Sequence, residues 1–253
     1  MGFLKRILRP TADGPSGAEA MPGPGGTPGG GNAGGGSFET LSDSELRAHM
    51  GIRTYGVFEL TDAVRPSYDL QIVPRQGFRH DKYIDDTTGV TTPVIMASAT
   101  RRQLIDTFLS LIDPLGSVVD VVLETSHTSG GGHTDLYREH IDMPVLKSIL
   151  LEFEDLLLDD GCTGIAVINP AKRQEVQLDE HKLLIAYGTP LRPYEKVLIS
   201  HDVYPEPDIQ FITEAEHVHS SSRQLFDRFE QLKHRLGMDG EGMTEESAEG
   251  SWN

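Results

Sequence analysis

Cysteine is almost missing: Cys162 stands alone in 253 residues. No intrachain disulfide can form, which fits a reducing compartment. Cys162 adjoins a stretch that reads as a buried strand, so it is expected to be inert core. Long apolar runs are missing as well. None approaches the ~18 residues of a membrane-spanning helix, and the first apolar block is too short and interrupted for a secretory leader. The opening Met1-Gly2 is not followed by Ser or Thr at position 6, so it does not fit the myristoylation pattern. Together these features predict a cytoplasmic protein. Cations are scarce. Lys and Arg total 22 against 39 Asp and Glu, a net charge of -17. Sequence-independent binding to phosphate backbones needs positive charge that displaces counterions, so nucleic acid is excluded as a partner. The chain also has no G-x-S-x-G elbow, no P-loop lysine and no G-x-G-x-x-G fingerprint.

What is present divides into four zones. Residues 1–10 form a short amphipathic basic segment. Phe3 and Ile7, and Leu4 and Leu8, are each one helical turn apart. Lys5, Arg6 and Arg9 flank them, and Pro10 ends the segment. Residues 11–37 are mostly Gly, Pro, Ala and Ser and predict a flexible linker. Residues 38–238 are long enough for a single globular domain. Residues 239–253 hold five carboxylates with no Lys or Arg and predict an acidic disordered tail. A nine-residue helix is unstable alone in water. Phe3, Leu4, Ile7 and Leu8 therefore predict a docking peptide for a protein partner or larger assembly, in preference to a membrane surface.

The domain is organised around residues 142–169. Asp142 precedes Pro144, which suits a first helical turn, and an apolar helix is expected over 145–158. Gly161 is expected to end it in a left-handed conformation. Asp159 and Asp160 sit at the negative end of the helix dipole, and solvent exposure is the simplest account of them. Residues 163–169 read as a strand buried on both faces. Before this centre, strands are expected at 52–60, 68–73, 93–97 and 117–125. A loop is expected at 75–91, a helix begins after Ser98 or Thr100, and 135–140 reads as a helical turn. After it come an antiparallel pair, 175–178 with 183–187, a helix over 192–203 and a strand over 208–216. A last helix is capped by Ser221 or Ser222 and closed by Gly237. This alternation predicts an α/β domain: a mixed, partly parallel sheet with an antiparallel hairpin, helices covering the sheet.

Two constellations bear on chemistry. The Gly-rich loop carries His127, His133 and Asp135, imidazole and carboxylate donors of the kind that hold a divalent metal. Their spacing matches no metal motif. His217 and His219 share one side of the expected strand 208–216 and point past its rim. In a parallel sheet, ligands bind beyond the carboxyl ends of the strands. Ser98, His127, His217 and His219 would then converge on one pocket, with His127, His133, Asp135, His217 and His219 as the metal-ligand set. Two functions follow as expectations. The first is a non-catalytic, acidic, cytoplasmic interaction or accessory domain, tethered through its N-terminal docking peptide. The alternative is a metal-dependent hydrolytic enzyme using the histidines at the carboxyl edge of the sheet.

Overall fold

The computed structural model describes residues 37–38, 41–85, 88–127 and 133–239. The segment bearing Phe3, Leu4, Ile7 and Leu8 lies outside the described residues. So do nearly all of the linker, the Gly130-Gly-Gly132 run and the tail beyond Asp239.

Ser42 and Glu45 close a capping box on helix α1 (Asp43–Met50). Strands β1 (Thr54–Tyr55) and β2 (Phe58–Glu59) pair around Gly56, and β3 (Val64–Pro66) follows. Next come β4 (Gly77–Ile84), β5 (Thr91–Ser98) and helix α2 (Arg101–Leu111). Beyond a 3-10 turn lie β6 (Val118–Thr125) and β7 (Thr134–Asp142). Helices α3 (Met143–Glu152) and α4 (Glu154–Asp159) lead into β8 (Thr163–Asn169), β9 (Gln174–Leu178) and β10 (Leu184–Tyr187). Helix α5 (Arg192–Ser200), the 3-10 turn Ile212–Glu214, β11 (His217–His219) and helix α6 (Arg223–Arg235) complete the fold. No helix among the described residues is long and apolar enough to cross a membrane.

The main sheet has seven strands in the order β4-β5-β10-β9-β8-β6-β7, and every pairing is antiparallel. This corrects the expected partly parallel sheet. The helical crossovers are real and do join strands of like direction: β5 to β6 through α2, and β7 to β8 through α3 and α4. Oppositely directed strands stand between the members of each such pair. The overlooked strands are β4 and β7, the two sheet edges. β4 falls in the expected loop and β7 over the expected helical turn. Edge strands carry charge and face water, so Arg79, Asp81, Lys82, Arg138 and Glu139 disguise their period. The hairpin of β6 with β7 reverses the chain before α3, so β8 returns antiparallel to β6 where a direct helical crossover would have made it parallel.

Smaller departures have local causes. The 52–60 stretch folds back at Gly56, which has φ +60°. Residues 68–73 form turns, and the 208–216 stretch is irregular until β11. The central helix breaks at Phe153, whose backbone leaves helical geometry (φ −114°, ψ 26°). Phe153 is nevertheless core, with the Arg228 guanidinium 4.3 Å from its ring centroid. Asp142 precedes α3 but makes no side-chain cap.

The helices α2 to α6 pack on one face of the sheet. Leu104, Phe108, Leu146, Leu150, Leu198 and Phe229 there meet Ile95, Val121, Leu123, Ile165 and Val176 in one continuous core. On the other face the segment ending at Ile212 lays Ile209 and Phe211 over Val94 and Ile185. One end of the sheet gathers the C-terminal ends of β5, β6 and β9 with the N-terminal ends of β8 and β10. A ribbon made of β3 and β11 sits against that end.

Candidate metal centre

The ribbon is attached through Gly161. The Gly161 N–H donates to the Ser220 carbonyl (2.8 Å), and the Ser220 N–H donates to the Ala63 carbonyl (2.7 Å). A Cβ at Gly161 would stand 2.3 Å from the Ala63 oxygen. Gly161 is thus required by close backbone approach. The expected left-handed cap is not its role, since its φ is not positive and Asp160 ends α4. The contact sets β11 beside the β9–β10 hairpin and brings three histidines together.

His217 and His219 project from one side of β11, as their spacing predicts. His181 comes from the hairpin tip, where the Asp179 carboxylate accepts from the Leu183 N–H at 2.7 Å and shapes the turn. The ring centroids are 4.9 Å apart for His181 and His217, 4.7 Å for His181 and His219, and 5.2 Å for His217 and His219. Each ring brings a nitrogen within 4.8 Å of those of the other two. All three are half-buried.

In every ring Nδ1 already has an acceptor. His217 Nδ1 donates to the Ala215 carbonyl (2.8 Å), and His219 Nδ1 to the Gly161 carbonyl (2.5 Å). His181 Nδ1 donates to the Asp179 carboxylate (2.9 Å). A carbonyl can only accept, so the proton resides on Nδ1 and the Nε2 lone pair is left for a ligand. Metal-binding histidines characteristically donate their second nitrogen to a carboxylate or a backbone carbonyl.

Burial holds His217 below the usual imidazole range, and the neighbouring His181 and His219 rings add to this against its Ala215 hydrogen bond. At His181 burial is the largest single effect and disfavours the charged form. The Asp179 charge and hydrogen bond, with Glu180, outweigh it and raise the ring. Lys182, next in sequence, donates from Nζ to the Thr163 carbonyl (2.8 Å), and burial pushes it down to about 8.

The other expected ligands separate. His127 turns away to Asp160 (Nε2 to Oδ2, 2.7 Å) and packs on Phe226 and Phe229. Asp160 also accepts from Thr163 Oγ1 (2.5 Å). It is fully buried, not solvent-exposed as expected. Burial opposes its charge most strongly, but the hydrogen bonds from His127, Ser221 and Thr163 prevail and hold it below the usual carboxylate range. Asp159 is likewise engaged, by Arg101 and by the Asp62 N–H. Cys162 lies beside His127 and Asp160. Burial, with the charges of Asp160 and Glu180, raises its thiol. A protonated thiol is a poor ligand, and the carboxylate of this group is already satisfied. His133 approaches Glu180 (4.0 Å), and Asp135 pairs across the sheet with Glu124. Ser98 shares a hollow at the end of β5 with His181, Lys182, Phe211 and Ile212. Of the expected pocket, then, His217 and His219 meet each other, Ser98 lies near the His181 turn, and His127 stands apart. His181 escaped the sequence reading. Its signal was present: an Asp-Glu-His-Lys tip, Asp179 to Lys182, between two strands read as an antiparallel pair.

The chain matches no protein-family model, no curated protein and no solved structure. The functional reading therefore rests on the chemistry of these side chains.

Proposed function

We propose that the protein binds a single divalent metal ion of the zinc class through His181, His217 and His219, and that the ion serves hydrolytic chemistry. The observation that carries this reading is the meeting of three imidazoles whose nitrogens lie within 4.8 Å of one another, each ring with Nδ1 committed to an acceptor. Three imidazoles, one of them held by the Asp179 carboxylate, are a donor set suited to zinc, and they leave a fourth coordination position for water. Zinc–nitrogen bonds of about 2.0–2.1 Å would place the three nitrogens about 3.3 Å apart, so the rings close by small side-chain rotations. The ion would lower the pKa of its bound water and supply a nucleophile near neutral pH. The protein's part is to orient the rings, through Asp179, Gly161 and Ala215, and to hold β11 against the hairpin. The sheet is antiparallel, so the site owes nothing to a carboxyl edge; it is assembled by a hairpin tip and a docked ribbon.

Metal analysis of purified protein, dialysed against trace zinc, should find one ion per chain. His217→Ala and His181→Ala should lose it while the fold, read by circular dichroism, persists. Asp179→Asn should weaken affinity about 10- to 100-fold, the usual cost of removing the carboxylate that holds a metal-binding histidine. Equal zinc content in the wild type and the His181/His217/His219 triple alanine variant would overturn the reading.

A further inference from the structure

The sheet face opposite the helices carries a small apolar cluster away from Ile209 and Phe211. It consists of Val122 on β6 and Ala166 and Ile168 on β8, with Tyr137 of β7 packed against it. Val122 is 1% exposed, and Ala166 and Ile168 are 0%. Among the described residues no helix contributes to this cluster, and Tyr137 is the one partly buried apolar side chain packed against it. Side chains on a bare sheet face retain exposure to water. A cover is needed.

The same face is acidic. Glu124 stands on β6 beside Gly164 of β8 and opposite Asp135 of β7, and it accepts a hydrogen bond from Gln177 (2.8 Å). Glu175 on β9 pairs across to Ile168 and Tyr187. It is fully buried, and among the described residues neither of its carboxylate oxygens has a hydrogen-bond partner. Among the described residues no lysine or arginine forms an ion pair with Glu124 or Glu175. Burial raises both carboxyls; the Asp135 charge adds to each, and the Glu124 charge adds further to Glu175. The face thus presents an apolar strip bordered by carboxylates that call for cations.

We propose that this face is the docking site for residues 1–9 of the same chain, bound as a helix with Phe3, Leu4, Ile7 and Leu8 on Val122, Ala166 and Ile168 and with Lys5, Arg6 and Arg9 toward Glu124 and Glu175. The segment has the complementary composition: four apolar side chains at helical spacing and three cations in an otherwise acidic chain. Its tether reaches. Ser37 is fixed near the ribbon end of the sheet, where its N–H donates to Glu216 (2.7 Å) and its hydroxyl accepts from the Tyr68 N–H (2.9 Å). A 27-residue coil has a mean span of about 26–31 Å, against roughly 24 Å for a seven-residue strand. A tethered segment also acts at millimolar effective concentration, which favours the chain's own segment over a second copy.

The test places a nitroxide on Ala12→Cys in a Cys162→Ser background of the full chain, just outside the docking segment. Paramagnetic broadening of NMR signals should fall on Val122, Ala166 and Ile168 and spare Leu104 and Leu198 on the helical face, at every protein concentration. Adding Lys5→Glu, Arg6→Glu and Arg9→Glu should abolish it. Two results would overturn the proposal: no selective broadening, which would leave the segment for an external partner or a lipid surface, or broadening that appears only with rising concentration, which would assign the face to a second copy.

Discussion

Glu175 is the residue at which the chain departs most from ordinary satisfaction of polar groups. A carboxylate buried without partners favours its neutral form. Burial, with Glu124 and Asp135 across the face, pushes Glu175 up to about 8 from an ordinary 4.5. Below the unfolded value both states hold the proton, so Glu175 has no effect on stability there. Between about 4.5 and 8 the folded state binds a proton that the unfolded state has released, so stability falls as pH rises through that window. Glu124 shares the direction, and Tyr187, facing Glu175, is held neutral by burial and by these charges. In the protein trimmed of residues 1–36, where Lys5, Arg6 and Arg9 are gone, Glu175→Gln should therefore stabilise the fold at pH 8 by on the order of a few kcal/mol and leave it nearly unchanged at pH 4. Urea melts at the two pH values measure this; equal stabilisation at both would point to packing instead of charge.

At the scale of elements, the contact between Gly161 and the β3–β11 ribbon joins fold to site. The Gly161 carbonyl accepts from His219, its N–H donates to Ser220, and its α-carbon lies against Ala63. Gly161→Ala would drive a methyl into the Ala63 carbonyl, and overpacking of this kind costs about 1–3 kcal/mol. It would also shift the acceptor that fixes the His219 ring. Gly161→Ala should thus lower thermal stability and weaken zinc affinity together. Gly56→Ala serves as the control: Gly56 has a positive φ and open space around it, so that change should strain the β1–β2 turn and leave zinc binding intact. A Gly161→Ala protein with wild-type zinc affinity would remove the ribbon from the site's architecture.

For the whole molecule, charge and tethering set the behaviour. The net charge of -17 leaves few cations, and three of them sit in the first nine residues. Brief proteolysis should cut first within 11–36, as the Gly- and Pro-rich sequence there leads one to expect. The trimmed protein should remain folded, because the helix-side core lies wholly within residues 78–238. It should unfold at a lower temperature than the intact chain, since Val122, Ala166 and Ile168 lose their cover. An unchanged midpoint would mean that residues 1–9 contribute nothing to this face.

Local pattern alone determined much of this protein. Apolar period and a flanking Gly located β8, most of the core on α2 to α4, the β9–β10 pair and the Ser222 cap of α6, whose side chain accepts from the Leu225 N–H. Alternation along a strand put His217 and His219 on one side. Strand direction was not legible. The edge strands β4 and β7 bury little and carry charges outward, so they lack the apolar period that reveals the interior strands, and without β7 the chain reversal that makes β8 antiparallel to β6 is hidden. The hairpin tip that carries His181 was legible, but its convergence with His217 and His219 was not. His181 and His217 are separated by 35 intervening residues. Only the backbone contact at Gly161, a sheet-to-ribbon approach with no signature in local sequence, sets the hairpin tip beside β11. Burial of Asp160 and Glu175 belongs to the same class. A carboxylate in sequence reads as solvated, and only the packing of several distant elements around it decides whether it is paired, as Asp160 is, or left without a partner, as Glu175 is.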